Sequence, residues 1–103
     1  MLFEVNVSYM RAVFDEFIIS RVKTEVNHQT GDVATYIEGL EIGGFMVSGR
    51  VIGKALETEL KDLLGSVVRG EFVGVDFLDR DKSVLALRAS DFRVLDVLQS
   101  CAK

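Results

Sequence analysis

The most constraining feature of the sequence is a pair of alternating segments separated by turn-forming residues. In FIISRVKTEV (17–26) charged side chains alternate with apolar or small ones, and VATYIEG (33–39) alternates again. The intervening NHQTGD (27–32) contains Gly31, which can adopt a positive φ. A period of two places successive side chains on opposite faces of a strand. The sequence therefore predicts an antiparallel hairpin around which the rest of the fold is built.

Other segments complete the predicted order of elements. Alternating hydrophobicity predicts further strands at 2–8, 44–52, 71–78 and 83–89, the last two joined as a second hairpin across 79–82. Helical spacing of apolar side chains predicts helices at 8–17, 54–64 and 91–102. The order β-α-β-β-β-α-β-β-α predicts a single two-layer α+β domain, residues 1–103. Its antiparallel sheet is built from hairpins, with helices packed on one face.

The three predicted helices differ in the residues that support them. The first rests on the spacing of Met10, Val13, Phe14 and Phe17, and because it is short, a continuous strand is the alternative. The second contains four leucines in helical spacing and ends before Gly65, a residue type that often follows a helix. The last follows Ser90, an N-capping residue type. Its apolar residues surround much of its circumference, which predicts that a partner covers one side.

The apolar content of the chain exceeds what a small domain buries. Hydrophobic residues make up 49% of the 103 residues, whereas a domain of this size buries somewhat under about 70% of the surface that its unfolded chain exposes. Apolar side chains that the core does not bury are covered at an interface, most often with a second copy of the chain. The composition therefore predicts a homodimer. A monomer with apolar side chains at its surface is the alternative.

The charge pattern argues against a nucleic-acid partner, and the length of the apolar stretches argues against a membrane partner. The chain has 16 acidic and 12 basic residues, a net charge of −4, and its basic residues form no run. Nucleic-acid-binding proteins usually carry a basic patch.

No apolar stretch is long enough to span a membrane, and the N-terminus lacks the pattern of a signal peptide. Since Cys101 is the only cysteine, no internal disulfide can form, and we predict a cytoplasmic location.

From its second element on, the predicted order resembles that of the small acidic chaperones of bacterial type III secretion. The resemblance extends to acidity and size, and no residue motif accompanies it. Those chaperones are dimeric and bind extended segments of their client proteins. The resemblance therefore implies a dimer and a protein partner, and it assigns a role to no residue.

The stretch GGFMVSGRVIGK (43–54) resembles a phosphate-binding P-loop in its spacing, since two glycines separated by four residues precede Arg50. A P-loop requires a lysine at that position and a hydroxyl residue after it, but Val51 follows Arg50 here. The interior of the stretch is apolar, and no helix begins where a phosphate would be held. We interpret the stretch as a strand with glycines at a bulge and at its exit, entered through a Gly43–Gly44 turn.

Three other features have the residue types of a metal or catalytic site without the pattern. Asp76, Asp79 and Asp81 lack the register of a calcium-binding loop. His28 is the only histidine, and no cysteine lies near it to complete a zinc site. Cys101 is expected at a helix C-terminus, where a thiolate is disfavoured. The sequence therefore predicts no metal, no cofactor and no catalytic residue.

These features favour a small non-catalytic interaction protein that self-associates and offers open hairpin edges to a partner. One alternative is a small-ligand-binding domain with an apolar cavity between sheet and helices. The other is an enzyme whose site is assembled only in three dimensions, from His28, Asp32, Arg50 and Asp76. The candidate contacts for a partner or ligand are Tyr36, Phe45, Phe72, Phe77 and Phe92.

Overall fold

The computed structural model describes residues 2–5 and 10–101, with side chains from residue 10 onward. These residues form eight strands: β1 (Leu2–Val5), β2 (Met10–Val26), β3 (Val33–Glu41), β4 (Phe45–Ile52), β5 (Val67–Val73), β6 (Phe77–Asp81), β7 (Val84–Ala89) and β8 (Asp91–Gln99). Between β4 and β5 lie α1 (Glu57–Leu60) and a 3₁₀ turn (Lys61–Leu63). In the described ranges, no helix has the length and apolar character needed to cross a membrane.

The predicted two-layer α+β domain is wrong, because the fold is a mixed, mostly β sheet with one short helix. The predicted helices at 8–17 and 91–102 are strands where the structure describes them, and the one at 54–64 is reduced to α1 and the 3₁₀ turn. The hairpin across 27–32 is confirmed as β2 and β3. The resemblance to secretion chaperones depended on the α+β order and lapses with it.

A β-bulge explains why residues 8–17 have the spacing of a helix. Buried side chains of β2 are two residues apart up to Phe14 and again from Phe17 to Ile19, but three apart between these two rings. The register of β2 against β5 shifts at this point, and both acidic residues between the rings are exposed. An extra residue in one strand resets the alternation of its faces. The alternative of a continuous strand is therefore confirmed from Met10 onward.

Irregular pairing explains the helix-like pattern of residues 91–102. β8 pairs antiparallel with β5, and its register shifts twice, so that Leu95 and Leu98 have no direct partner in β5. Apolar side chains consequently occur on both faces of this strand. Ser90, which was expected to cap a helix, instead donates its backbone N–H and its hydroxyl to the carbonyl oxygen of Val73, at 2.9 and 3.1 Å.

The strands β5 to β8 form one long bent hairpin. β6 pairs with β7 and β5 pairs with β8, all antiparallel. Only residues 74–76 separate β5 from β6, and only Ser90 separates β7 from β8. The predicted hairpin of 71–78 and 83–89 is thus part of a longer one, which turns at residues 82–83 with Lys82 at a φ of 55°.

This bent hairpin closes the sheet into a small barrel. β7 lies parallel to β4, and β5 lies antiparallel to β2. β3 joins β2 to β4 on the opposite side. The wall therefore runs through β2, β3, β4, the β7–β8 strand and the β5–β6 strand back to β2. Closure pairs most strands on both sides and removes most free edges.

Four phenylalanine rings fill the centre of the barrel. Phe14, Phe17, Phe72 and Phe92 are buried, and the closest ring centroids, those of Phe72 and Phe92, lie 4.6 Å apart. The other three contacting pairs lie 5.7, 5.9 and 6.3 Å apart. Tilted and edge-on pairs at these distances stabilise a core beyond the burial of their area.

Glycines in the barrel wall provide the space for these rings. A Cβ at Gly49 would lie 2.5 Å from the ring of Phe72, and one at Gly70 would lie 2.9 Å from the ring of Phe92. Gly39 faces Phe17 in the same way. Gly49 lies in regular pairing with both neighbouring strands, so the bulge predicted at this glycine is absent.

Two threonines attach α1 to the barrel, with Leu56 buried in the core below it. Thr35 Oγ1 donates to the carbonyl of Lys54 at 2.7 Å and accepts the N–H of Leu56 at 2.9 Å. Thr24 Oγ1 accepts the N–H of Glu57 at 3.2 Å, and the Glu57 carboxylate accepts the N–H of Thr24 at 2.7 Å. Side chains of β2 and β3 thus satisfy the backbone at the start of the helix.

Gly49→Ala should destabilise the protein, because the new Cβ would overlap the Phe72 ring. Overpacking of this kind costs about 1–3 kcal/mol, so we expect a lower urea midpoint with an unchanged slope. Ser48→Ala, at the next position of the same strand and on its outer face, is the control and should change the midpoint little.

The double variant Gly49→Ala/Phe72→Leu tests whether the glycine serves the ring. Leucine leaves room for the added methyl group, so the double variant should be more stable than the sum of the two single losses predicts. Strictly additive losses would contradict the proposed role of Gly49.

Thr35→Val should destabilise the protein although it preserves the shape of the side chain. It leaves the Lys54 carbonyl and the Leu56 N–H without their partner, at a cost of about 1–3 kcal/mol. Thermal denaturation measures the loss. Thr58→Val, at an exposed position of α1, is the control, and an equal loss in the two variants would contradict this account.

Candidate functional site

The outer face of the barrel wall carries its side chains in rows that cross neighbouring strands. Directly paired residues of adjacent strands point to the same face. The observed register therefore assigns each outward side chain to a row. Two of these rows have a distinctive composition and lie four residues apart along β3, β4 and β7.

The first row, here called the apolar belt, consists of Val84, Met46, Leu40, Ile18 and Val67. Each member is the Cα partner of the next. Met46 is 49% exposed, and Leu40 and Val84 are each 43% exposed. The remaining two members are half-buried. Five apolar side chains thus form an uncharged strip across five strands.

The apolar belt ends beside a free strand edge. Val67 is the partner of Gln99, at the end of β8. In the described part of the chain β8 pairs with β5 alone, and its Leu95, Val97 and Leu98 are exposed. β8 contains neither lysine nor proline, residues that commonly protect an edge strand. The belt therefore ends beside Gln99, on a strand edge that carries exposed apolar side chains.

The second row, here called the arginine–aromatic row, consists of Lys23, Tyr36, Arg50, Arg88 and Phe77. Each member is again the Cα partner of the next. The guanidinium of Arg50 lies over the Tyr36 ring, with Cζ 5.6 Å from the centroid. That of Arg88 lies 5.9 Å from the centroid of Phe77, whose ring is 49% exposed. The fold thus places three cations and two aromatic rings side by side across five strands.

Carboxylates neutralise only part of this row. Lys23 Nζ lies 3.4 Å from the Glu25 carboxylate, and Arg88 Nε lies 2.8 Å from that of Asp76. Arg50 has no carboxylate within ion-pair distance among the residues that the structure describes. Arg50 and Arg88 are direct partners in the parallel ladder, an arrangement that is unfavourable for like charges.

An open groove of about 290 Å³ lies between the two aromatic rings of the row. Tyr36 and Phe77 line it together with both arginines, and the small side chains of Ser48 and Ala86 also line it. A second groove, lined by Asp76 and Ser90, shares the same two arginines. The arginine pair is therefore reachable from two sides.

The structure separates the five aromatic residues predicted as contacts. Tyr36 and Phe77 lie in the arginine–aromatic row. Phe45 lies half-buried at the start of β4, with the guanidinium of Arg80 5.2 Å from its centroid. Phe72 and Phe92 belong to the core. Only the first two are therefore brought together at the surface.

The stretch 43–54 forms a turn and the strand β4, as interpreted from the sequence. Residues 42–44 make the turn, and Gly43 and Gly44 have φ values of 142° and 123°. The strand that follows leaves no loop to surround a phosphate. Arg50, which stood at the lysine position of the P-loop comparison, instead projects from the outer face.

The residues considered for a three-dimensional catalytic site are not assembled as one group. His28 lies in the exposed turn between β2 and β3, and the Asp32 carboxylate accepts the Thr30 hydroxyl at 2.9 Å. Asp76 pairs with Arg88, next to Arg50.

The aspartates considered as metal ligands and the cysteine considered as a nucleophile are exposed. Asp79 and Asp81 are exposed on β6, and the described residues contain no group of three side chains arranged to hold a metal ion. Cys101 follows a strand, not the expected helix, and its thiol is exposed. Its backbone N–H donates to the Ser66 hydroxyl at 3.0 Å.

Sequence reasoning missed most members of both rows. Met46, Val84, Lys23 and Arg88 are far apart in the chain, and only the pairings of β2 with β3, β3 with β4 and β4 with β7 unite them. Each strand did show its outward residues by alternation. The missing information was the register between strands.

Comparison of the chain with protein-family models, with curated proteins and with solved structures gave no match. The chain is therefore assigned to no family, and the function of the protein is inferred from the two rows on the outer face.

Proposed function

We propose that this chain is a small, non-catalytic interaction protein that associates with a second copy of itself through the apolar belt. The observation that supports this proposal is the direct adjacency of Leu40, Met46 and Val84, all exposed in the single chain. Contiguous apolar surface of this kind marks interaction sites in soluble proteins. A cytoplasmic location, inferred from the single cysteine, is part of the proposal.

A second copy of the chain suits this surface. A two-fold interface brings the same patch of both subunits together, and an uncharged strip opposes no like charges although each chain carries −4. A standard interface of roughly 800 Å² per partner would cover about an eighth of the 6305 Å² of accessible surface. The belt and the exposed side chains of β8 would form the apolar centre of such an interface.

The sequence predicted that open hairpin edges would accept a partner strand, and in this proposal the edges of β3 and β4 do not take that role. The barrel pairs β3 and β4 on both sides, so neither can accept a partner strand. The free edge of β8 lies next to the belt instead. In this proposal its exposed side chains, Leu95, Val97 and Leu98, add apolar area to the interface.

The ligand-binding alternative loses its original basis. It required a cavity between a sheet and a layer of helices, and the helices predicted at 8–17 and 91–102 are strands over Met10–Val26 and Asp91–Gln99. The space inside the barrel is occupied by the four phenylalanine rings. We therefore do not propose an interior ligand site.

Met46→Lys should convert the dimer into a monomer, because it places a charge within the apolar belt, between Val84 and Leu40. Size-exclusion chromatography with light scattering should give about twice the 11.4 kDa chain mass for the wild type and the chain mass for the variant. Ile52→Lys is the matched control, since Ile52 lies on the same face of β4, is 43% exposed and is outside the belt. It should remain dimeric.

Two further results bear on the same proposal. Raising the salt concentration should strengthen association, because salt screens the repulsion between two negatively charged chains and leaves apolar contacts intact. A wild type that is monomeric at every concentration would contradict self-association. A dimer that tolerates Met46→Lys would contradict the belt as its interface.

A further inference from the structure

We propose that the arginine–aromatic row binds a nucleotide unit. The phosphate is held by Arg50 and Arg88, and the base lies in the groove between Tyr36 and Phe77. This site is additional to the proposed self-association and does not depend on it. The sequence alone argued against such a ligand because its basic residues form no run. The fold brings three of them into one row.

The arginine pair has the geometry and charge of an anion site. The two residues are direct partners on adjacent strands and point to the same face. Their repulsion is relieved when an anion lies between them. Guanidinium groups bind phosphate oxygens through planar, paired N–H donors. Since Arg50 has no carboxylate partner in the described part of the chain, its donors are available to a ligand.

The two aromatic residues of the row indicate which chemical group of the ligand lies beside the phosphate. The Phe77 ring is half exposed on β6, and Tyr36 lies on the opposite side of the arginines. Three strand spacings separate these two residues, a span of about 14 Å, which is long enough for a base beside its phosphate. Nucleobases stack on aromatic rings and on arginine planes without a strict sequence requirement. The groove of about 290 Å³ between them gives a planar ring a place to lie.

The surrounding charges limit the length of the ligand. Glu25 and Asp76 pair with the other cations of the row, and the whole chain carries −4. A long polyanion would therefore meet repulsion away from the row. A single nucleotide, free or within a short single-stranded segment, matches the extent of the exposed positive charge. Both sources present a phosphate beside a base to the protein.

The binding experiment is a titration of ¹⁵N-labelled protein with three probes, followed by amide chemical shifts. The probes are inorganic phosphate, adenosine monophosphate and single-stranded hexadeoxyadenylate. We expect the monophosphate to shift the amides of Arg50, Arg88 and Phe77 and to bind more tightly than inorganic phosphate. Phosphate binding as tight as nucleotide binding, or shifts confined to other strands, would overturn the proposal.

The hexanucleotide distinguishes the two sources of the ligand. With a phosphate on its 5′ end it offers six nucleotide units, so statistics alone raise its apparent affinity by about sixfold over the mononucleotide. A gain of that size supports a free nucleotide as the ligand. A larger gain supports a single-stranded segment that contacts the row at more than one position.

Three variants test the assignment of roles. Arg50→Gln should weaken monophosphate binding by about tenfold or more, and Arg50→Lys should retain part of it because the charge remains. Phe77→Leu should weaken binding of the monophosphate and leave binding of inorganic phosphate unchanged. Arg69→Gln, an exposed arginine on β5 outside the row, is the control. Unchanged binding by Arg50→Gln would overturn the site.

The dimer and the nucleotide site can fail independently. Met46→Lys alters the apolar belt and leaves the row intact, so it should bind the monophosphate like the wild type. Loss of nucleotide binding in Met46→Lys, with its fold intact by amide spectrum, would contradict the separation of the two surfaces.

Discussion

The fold depends on the packing of four phenylalanine rings inside a narrow barrel. Phe14, Phe17, Phe72 and Phe92 come from three neighbouring strands, β2, β5 and β8, and meet at the centre. A small closed barrel has little interior volume, so large rings fit only where a strand facing or next to them carries no side chain. Gly39, Gly49 and Gly70 supply those places. The same glycines fix the register, because a shift by one residue would place a side chain against a ring.

The register in turn determines the surface. Because each strand alternates between core and exterior, fixing which residue faces a ring also fixes which residue faces outward on the neighbouring strand. Met46 thereby lies beside Val84, and Arg50 lies beside Arg88. The apolar belt and the arginine–aromatic row are therefore consequences of core packing. Both proposals about function rest on this parallel pairing of β4 with β7.

The sequence predicted local features well where a strand is regular. The hairpin of β2 and β3 and the turn at Gly43 and Gly44 followed from alternation and turn residues. Prediction failed where a strand is irregular. The bulge after Phe14 and the shifts around Leu95 produced helical spacing in strands, and no local pattern separates the two cases. The predicted site residues Tyr36 and Phe77 lie in one row, but the row depends on the pairing of Arg50 with Arg88, which are more than thirty residues apart in the chain and whose pairing alternation alone does not specify.

The most direct test of this account is the backbone NMR of the isolated protein, through secondary chemical shifts and amide-to-amide contacts between strands. The account predicts extended shifts through residues 91–99, contacts between β5 and β8, and parallel contacts that bring Gly49 next to Leu87. Helical shifts over 91–99, or the absence of contacts between β4 and β7, would contradict the closed barrel and with it both rows on the outer face.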